Sequence, residues 1–435
     1  MNSTKLYKAR RHYLASQMQR GVAIIPTAPE RLRNRDAYYP YRFDSYFYYL
    51  TGFREPEGVL VVVAETNQSE SKSILFCRDK DQTREIWDGF RFGPDVAKET
   101  FGFDEAYSIS RLDEMMPDLL ASQPTLFYAL GQDAAWDARV TGWINQVREQ
   151  VRKGVSAPAK ICDSRTLLDE MRVIKSAEEI DVMKNAAAIS TEAHRRAMQL
   201  TQPGKQEYEI EAELHYIFRR RGAQAPAYTS IVAGGANACV LHYIENNAKL
   251  EDGDLLLIDA GCELDGYASD ITRTFPVNGK FSPVQKDVYE LVLAAQTAAI
   301  TSVKPGSTWD DPHQAALKVL AQGFIDFGLC QGTVDDVIES EAYKRFYMHR
   351  TGHWLGLDVH DAGDYKLHGS WRLLQPGMTL TVEPGCYIRP AENVPPHFWN
   401  IGIRIEDDVV VTETGNDILT VAAPKSVAEI EELMR

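Results

Sequence analysis

Two uninterrupted runs of apolar and β-branched residues stand out along the chain: Leu255 to Ile258 within LEDGDLLLIDAGC (Leu250 to Cys262), and Met378 to Val382 within LQPGMTLTVEPGC (Leu374 to Cys386). Turn-forming glycines bracket each run, a pattern that predicts buried strands. The two segments align without a gap in leucine, glycine, the apolar run, an acidic residue, glycine and cysteine. Each run ends on an acid, Asp259 or Glu383. A lone charge buried there would cost several kcal/mol unless it were paired or bound to metal.

Each copy is followed by a second strand-like segment with its own acid: GYASDITRTFPV carries Asp270 and NIGIRIEDDVVV carries Glu406. In the latter, alternation puts Ile401, Ile403 and Ile405 on one face and Arg404 and Glu406 on the other. The pattern predicts two hairpins offering two carboxylates each. Upstream, Ser176-Ala-Glu-Glu179 and Ser282-Pro-Val-Gln285 read as capping-box helix starts, the second with proline at the first helical position. Apolar residues follow both at helical spacing, and Pro203-Gly204 and Pro305-Gly306 punctuate the two copies. The C-terminal part of the chain is therefore an internal duplication. Ahead of it, Gly58 to Ala64 and Lys72 to Cys77 predict strands of a smaller α/β domain. The polar, proline-bearing stretch from Gly154 to Lys160 marks the boundary, giving domains over 1–165 and 170–435.

A chain of 435 residues is too long for one ordinary core, which agrees with two domains. Its 47 basic and 62 acidic residues leave a net charge of -15, which repels phosphate backbones and anionic bilayers and argues against a nucleic-acid or membrane role. No apolar stretch approaches the roughly 20 residues that span a bilayer, and the N-terminus lacks the apolar core of a signal peptide. The six cysteines are scattered without CxxC spacing, so a reduced, cytoplasmic protein is expected. Cys262 and Cys386, at matching places in the two motifs, read as small buried packing residues rather than thiolate ligands.

Between the second capped helix and the second hairpin, FYMHRTGHWLGLDVHD brings His349, His353 and His360 near the four acids. His-x3-His alone is a weak signal; the combination with four carboxylates carries the weight. Two divalent cations would neutralise Asp259, Asp270, Glu383 and Glu406, with His353 as a nitrogen ligand. Ligation this rich in oxygen favours a harder ion such as manganese, and a dinuclear hydrolytic site is the chemical reading.

The stretches IDAGCELDGYASDITRTFPVNGKF, HRTGHWLGLDVHD, LTVEPGCYI and NIGIRIEDDVVVTETG, with YPYRFDSYFYYLTGF near the N-terminus, resemble the metallopeptidases of the pita-bread fold, and among them the aminopeptidase P (Xaa-Pro aminopeptidase) family. The resemblance covers nearly the whole chain. It implies an α+β architecture in which a smaller N-terminal α/β domain precedes an internally duplicated catalytic domain. It also implies two divalent ions, manganese foremost with cobalt or zinc as alternatives, held by Asp259, Asp270, His353, Glu383 and Glu406, with Asp270 and Glu406 bridging. The implied reaction is attack of a metal-bound hydroxide on the bond that precedes a proline at the second position of a peptide. Glu383 would carry the proton, and His242 and His360 would stabilise the tetrahedral intermediate. His349, Arg404 and Tyr387 would line the pocket beyond the scissile bond. In this family a neighbouring subunit approaches the site, and Asp36, Trp87 and Arg152 fall at matching positions, so a homodimer or homotetramer is implied.

The nearest alternative is an Xaa-Pro dipeptidase (prolidase), which shares fold and ligands. A non-catalytic peptide-binding relative or a metal-free creatinase-like hydrolase would have no use for the full ligand set.

Overall fold

The computed structural model describes residues 3–435 and divides into two compact units between Met171 and Arg172. In the first unit the expected apolar runs form strands Val59–Ala64 and Lys72–Cys77, central members of a six-stranded mixed sheet. The order across it is Glu105–Ser108, Lys72–Cys77, Val59–Ala64, Gly21–Pro26, Thr125–Phe127, Lys160–Cys162. Strands Gly21–Pro26 and Val59–Ala64 are buried along almost their whole length, which is why they read as continuous apolar runs rather than as alternation.

The second unit carries the duplication. Its two long helices start where the capping boxes stand: Ala177–Leu200 behind Ser176 and Glu179, and Pro283–Ser302 behind Ser282 and Gln285. Each later turns at a glycine with positive φ. There the Gly204 N–H donates to Leu250 O and the Gly306 N–H to Leu374 O, equivalent leucines of the two motifs. Ala186, Ala193, Val288, Val292 and Ala295 on these helices share one core with Leu256, Ile258, Leu380 and Val382 on the strands.

Each expected hairpin is present, but its ladder is interrupted at the acids. In the first, Leu255–Asp259 pairs antiparallel with Thr272–Pro276, Asp259 opposite Thr272; beyond a break, Cys262–Leu264 pairs with Tyr267–Ala268. In the second, Thr379–Val382 pairs with Asp407–Val411, then Gly385–Ile388 pairs with Ile401–Arg404. The segment expected as one alternating strand from Ile401 onward is therefore two strands separated at Ile405 and Glu406. Pro384, which has no N–H to give a ladder, sits in the second break, and Gly261 in the first. A Cβ at Gly261 would lie 1.7 Å from the Ser269 carbonyl oxygen, so only glycine lets the chain pass there.

Behind the first break, the fully buried His194 of helix Ala177–Leu200 donates from Nε2 to the Ala260 carbonyl (2.9 Å), leaving Nδ1 without a partner. Burial holds its pKa down to about 4. Above pH 6.5 neither the folded nor the unfolded chain protonates this ring, and its contribution to stability is complete. As pH falls from 6.5 towards 4 the unfolded chain takes the proton first, so stability is lost by about 3 kcal/mol in all from this group. Urea denaturation between pH 7 and 4.5 is expected to show His194→Gln with a shallower decline than the parent; equal slopes would refute the assignment.

Candidate active site

The interruptions let four carboxylates leave the backbone towards one place. Asp259 ends its strand, Asp270 and Glu406 lie in the two breaks, and Glu383 follows Val382 directly. A cavity of about 420 Å³ in the second unit is lined by all four, by His242, His349, His353 and His360, and by Tyr228 and Arg404. Donor atoms of Asp270, His353 and Glu406 lie within 4.8 Å of one another. Two of these three side chains are almost fully buried: Asp270 is 5% exposed and Glu406 1%.

His353 donates from Nδ1 to its neighbour's carbonyl, Trp354 O (2.9 Å), which fixes the ring and turns Nε2 to the acids, 3.4 Å from Asp270 Oδ2 and 3.7 Å from Glu383 Oε1. In the neutral ring this tautomer leaves the inner nitrogen as the one that can act as a ligand. Burial works against charge on the ring, but contact with Asp270 and the field of Glu383 outweigh it and raise its pKa to about 9. Asp270, Glu383 and Glu406 are perturbed in the same direction. Burial above all, then repulsion from Asp270, Glu383 and Asp259, pushes the Glu406 carboxyl well above the usual range. Burial and the Asp259 charge raise Asp270, and burial raises Glu383 to about 7.

Asp270, Glu383 and Glu406 resist ionising together, and positive charge placed between them relieves both the burial cost and the repulsion. Oxygen donors in this number with one imidazole nitrogen fit divalent cations.

The outer wall is a hydrogen-bonded chain. His349 Nε2 meets Tyr387 Oη (2.9 Å), Arg404 donates to that same hydroxyl (2.9 Å), and its other terminal nitrogen pairs with Asp259 Oδ2 (2.6 Å). Tyr387 and Arg404 are buried. Burial, with Arg404 nearby, lowers the His349 pKa to about 4, so this imidazole is neutral at physiological pH. His360 stands edge-on to His353, ring centres 4.4 Å apart, and both His242 and His360 are exposed at the mouth of the cavity. Asp36, Trp87 and Arg152 lie in the first unit, all exposed: Asp36 in the tight turn after Leu32–Asn34, Trp87 in helix Gln82–Asp88, Arg152 in the turn Val151–Lys153. None of these three lines the cavity. Cys262 and Cys386 are buried free thiols outside the donor cluster.

Sequence reasoning misses two residues that touch the acids, Tyr228 and Thr272. The Tyr228 hydroxyl donates to Asp259 Oδ1 (2.6 Å) and closely to Asp270 Oδ1; the Thr272 hydroxyl donates to Glu406 Oε2 (2.6 Å). Thr272 stands two residues after Asp270 at the start of a strand, but its partner Glu406 is 134 positions away. Tyr228 lies in APAYTSIV, where no pattern marks it.

The sequence profile of metallopeptidase family M24 matches residues 181–413, and that of the aminopeptidase P N-terminal domain matches residues 7–128. Over 433 residues the chain is 45% identical to an Xaa-Pro aminopeptidase of Escherichia coli (strain K12), an alignment covering 99% of this chain and 98% of that protein. The structure of aminopeptidase PepP from Pseudomonas aeruginosa matches with a TM-score of 0.97 at 50% identity, covering 99% of this chain and 98% of that one. A zinc-substituted Escherichia coli aminopeptidase P in complex with product matches with a TM-score of 0.96 at 45% identity and the same coverage. With a profile that covers the whole cluster of acids and histidines, and relatives aligned end to end, the chain belongs to metallopeptidase family M24, its catalytic unit preceded by a domain of the aminopeptidase P N-terminal type.

Proposed function

We propose that the chain is a dinuclear metal-dependent aminopeptidase that hydrolyses the bond between the first residue of a peptide and a proline at the second position. The observation that carries this reading is the convergence of four carboxylates, one oriented imidazole and two rim histidines on a single cavity. The full-length likeness to Xaa-Pro aminopeptidases supports the substrate class.

Asp259, Asp270, His353, Glu383 and Glu406 are the residues that would hold two divalent ions, manganese foremost and cobalt or zinc as alternatives. When bound, such ions lower the proton affinity of water and polarise a carbonyl. Glu383 is the proton carrier. It takes the proton of the attacking water as the new C–O bond forms, and delivers it to the imino nitrogen as the C–N bond breaks. A carboxyl whose surroundings raise it towards neutrality suits that double task. His242 and His360, at the rim, donate hydrogen bonds to the carbonyl oxygen as it gains charge, a role worth roughly 3 kcal/mol per donor in comparable sites. His349, Tyr387 and Arg404 form the wall that receives the proline side of the substrate, their mutual bonds holding it rigid.

Association as a homodimer or homotetramer is part of this reading. The first unit exposes Ile86, Trp87 and Phe90 on and just after one helix, a patch of apolar surface that a second copy would cover, with Asp36, Trp87 and Arg152 reaching a neighbour's site. Among the described residues no helix is long and apolar enough to cross a membrane. The six cysteines are free, which supports a cytoplasmic setting.

The test is hydrolysis by the manganese-reconstituted chain, read by mass spectrometry, of an Xaa-Pro-Yaa tripeptide, an Xaa-Pro dipeptide and an Xaa-Ala-Yaa control. Loss of the first residue from the tripeptide, with the control intact, is expected. Cleavage confined to the dipeptide would make the chain a prolidase. No cleavage despite bound metal would leave a peptide-binding relative.

A further inference from the structure

We propose that Asp408 is a positioning residue: its carboxylate clamps the main chain of Asp270 and so sets the spacing of the Asp270 and Glu406 carboxylates on which the second of two divalent cations depends. The inference rests on the metal-binding part of the reading above.

Asp407 and Asp408 are consecutive on strand Asp407–Val411, so their side chains leave opposite faces. Asp407 is fully employed on its side, taking hydrogen bonds from Arg273, Gln296, Thr420 and Lys425. Asp408 is 1% exposed and, among the described residues, has no cation against it: Oδ2 accepts the Asp270 N–H at 3.1 Å, and Oδ1 has no partner. A buried carboxyl that makes one such bond is a net cost to folding, because an apolar side chain of the same shape would leave no orphan oxygen.

The single bond it makes crosses the seam between the two hairpins, and it is answered from the other side. The Glu406 N–H donates to Thr272 O (3.1 Å) while the Thr272 hydroxyl donates to Glu406 Oε2. The Asp270 backbone is thus held by the hairpin of Glu406, and the Glu406 backbone and side chain by the hairpin of Asp270. Both acids lie in ladder breaks, where no strand pairing fixes them. These cross-ties are what set their separation, and partners of ligands commonly govern metal affinity by about 10- to 100-fold.

The test is calorimetric titration with Mn2+ of the chelator-treated full chain and of Asp408→Asn, Asp408→Ala and Asp408→Ser, with electron paramagnetic resonance of each loaded protein. Asparagine keeps an oxygen where Oδ2 stands; alanine has none and serine is too short to reach. The asparagine chain is expected to bind both ions within about threefold of the parent and to keep the coupled two-manganese signal. The alanine and serine chains are expected to bind the second ion about 10- to 100-fold more weakly and to show isolated manganese. Parental two-ion binding by a folded alanine or serine chain would overturn the proposal. So would an asparagine chain as weak as alanine, or failure of both shorter variants to fold, which would assign Asp408 to the stability of the seam. Cation affinity is read without peptide, so a chain that binds two ions as predicted yet cleaves nothing would sink the peptidase reading and leave this one standing.

Discussion

Glu383→Ala is expected to lower kcat on an Xaa-Pro-Yaa tripeptide by about 10²- to 10⁴-fold while KM changes little. A positioned proton carrier is worth that factor, roughly 3 to 5 kcal/mol of barrier. The loss falls on turnover because His349, Tyr387 and Arg404, the proposed wall for the proline side, do not depend on Glu383 for their own bonds. The fold should survive: the backbone N–H of Glu383 is tied to Thr351 O whatever the side chain, and its carboxylate makes only long contacts to Thr381 (3.5 Å) and His353 (3.7 Å). Because Glu383 is also a proposed ligand, Glu383→Gln is the informative companion. An amide keeps an oxygen donor and the shape but carries no proton, so the glutamine chain should hold metal better than alanine and remain as slow. Steady-state kinetics with metal analysis decides the matter. A glutamine chain with near-parental kcat would remove Glu383 from proton transfer.

The repeated strand motif was legible in the sequence because burying a strand on both sides leaves an unbroken apolar run, and an acid at its end is costly enough to attract notice. The helix starts were legible for a local reason: a capping box is closed within four residues, as Ser176 with Glu179 and Ser282 with Gln285 show. The interruptions of the two ladders were not. Pro384 and Gly261 mark the places, but whether a proline or glycine ends a strand or merely bends it depends on what packs across it, such as the Ser269 carbonyl against Gly261.

Contacts between the two halves were beyond reach for a further reason. Thr272 to Glu406, Asp408 to Asp270 and Arg404 to Asp259 join residues more than a hundred positions apart, and no periodicity records such pairs. Tyr228 escapes notice on a shorter scale: its hydroxyl meets two acids 31 and 42 positions further on, yet its surrounding segment looks like any loop into a strand. The resemblance to a family supplied the expected roles of His242, His349 and His360, which as single histidines in a chain of ten would otherwise read as ordinary surface or core groups.

Exhaustive chelation is expected to abolish hydrolysis and to lower the melting temperature, both restored by Mn2+. Cations bound only by the folded chain stabilise it by mass action, about 2.7 kcal/mol per site at a free ion concentration one hundred times Kd. Here the cost of losing them is raised by the acids themselves: Glu406 and Asp270 are buried, and repulsion adds to burial in pushing both upward. This distinguishes the cluster from a surface site, where chelation would remove activity and barely move stability. Neutralising the pair by Asp270→Asn with Glu406→Gln should reverse the relation. That chain loses the stabilisation by Mn2+, and once stripped of metal it should melt above the stripped parent, because two of the repelling charges are gone. Melting curves of both chains with chelator and with Mn2+ test this in one experiment. Full loss of parental activity without any change in melting temperature would mean that the catalytic ions are not held by the buried carboxylates.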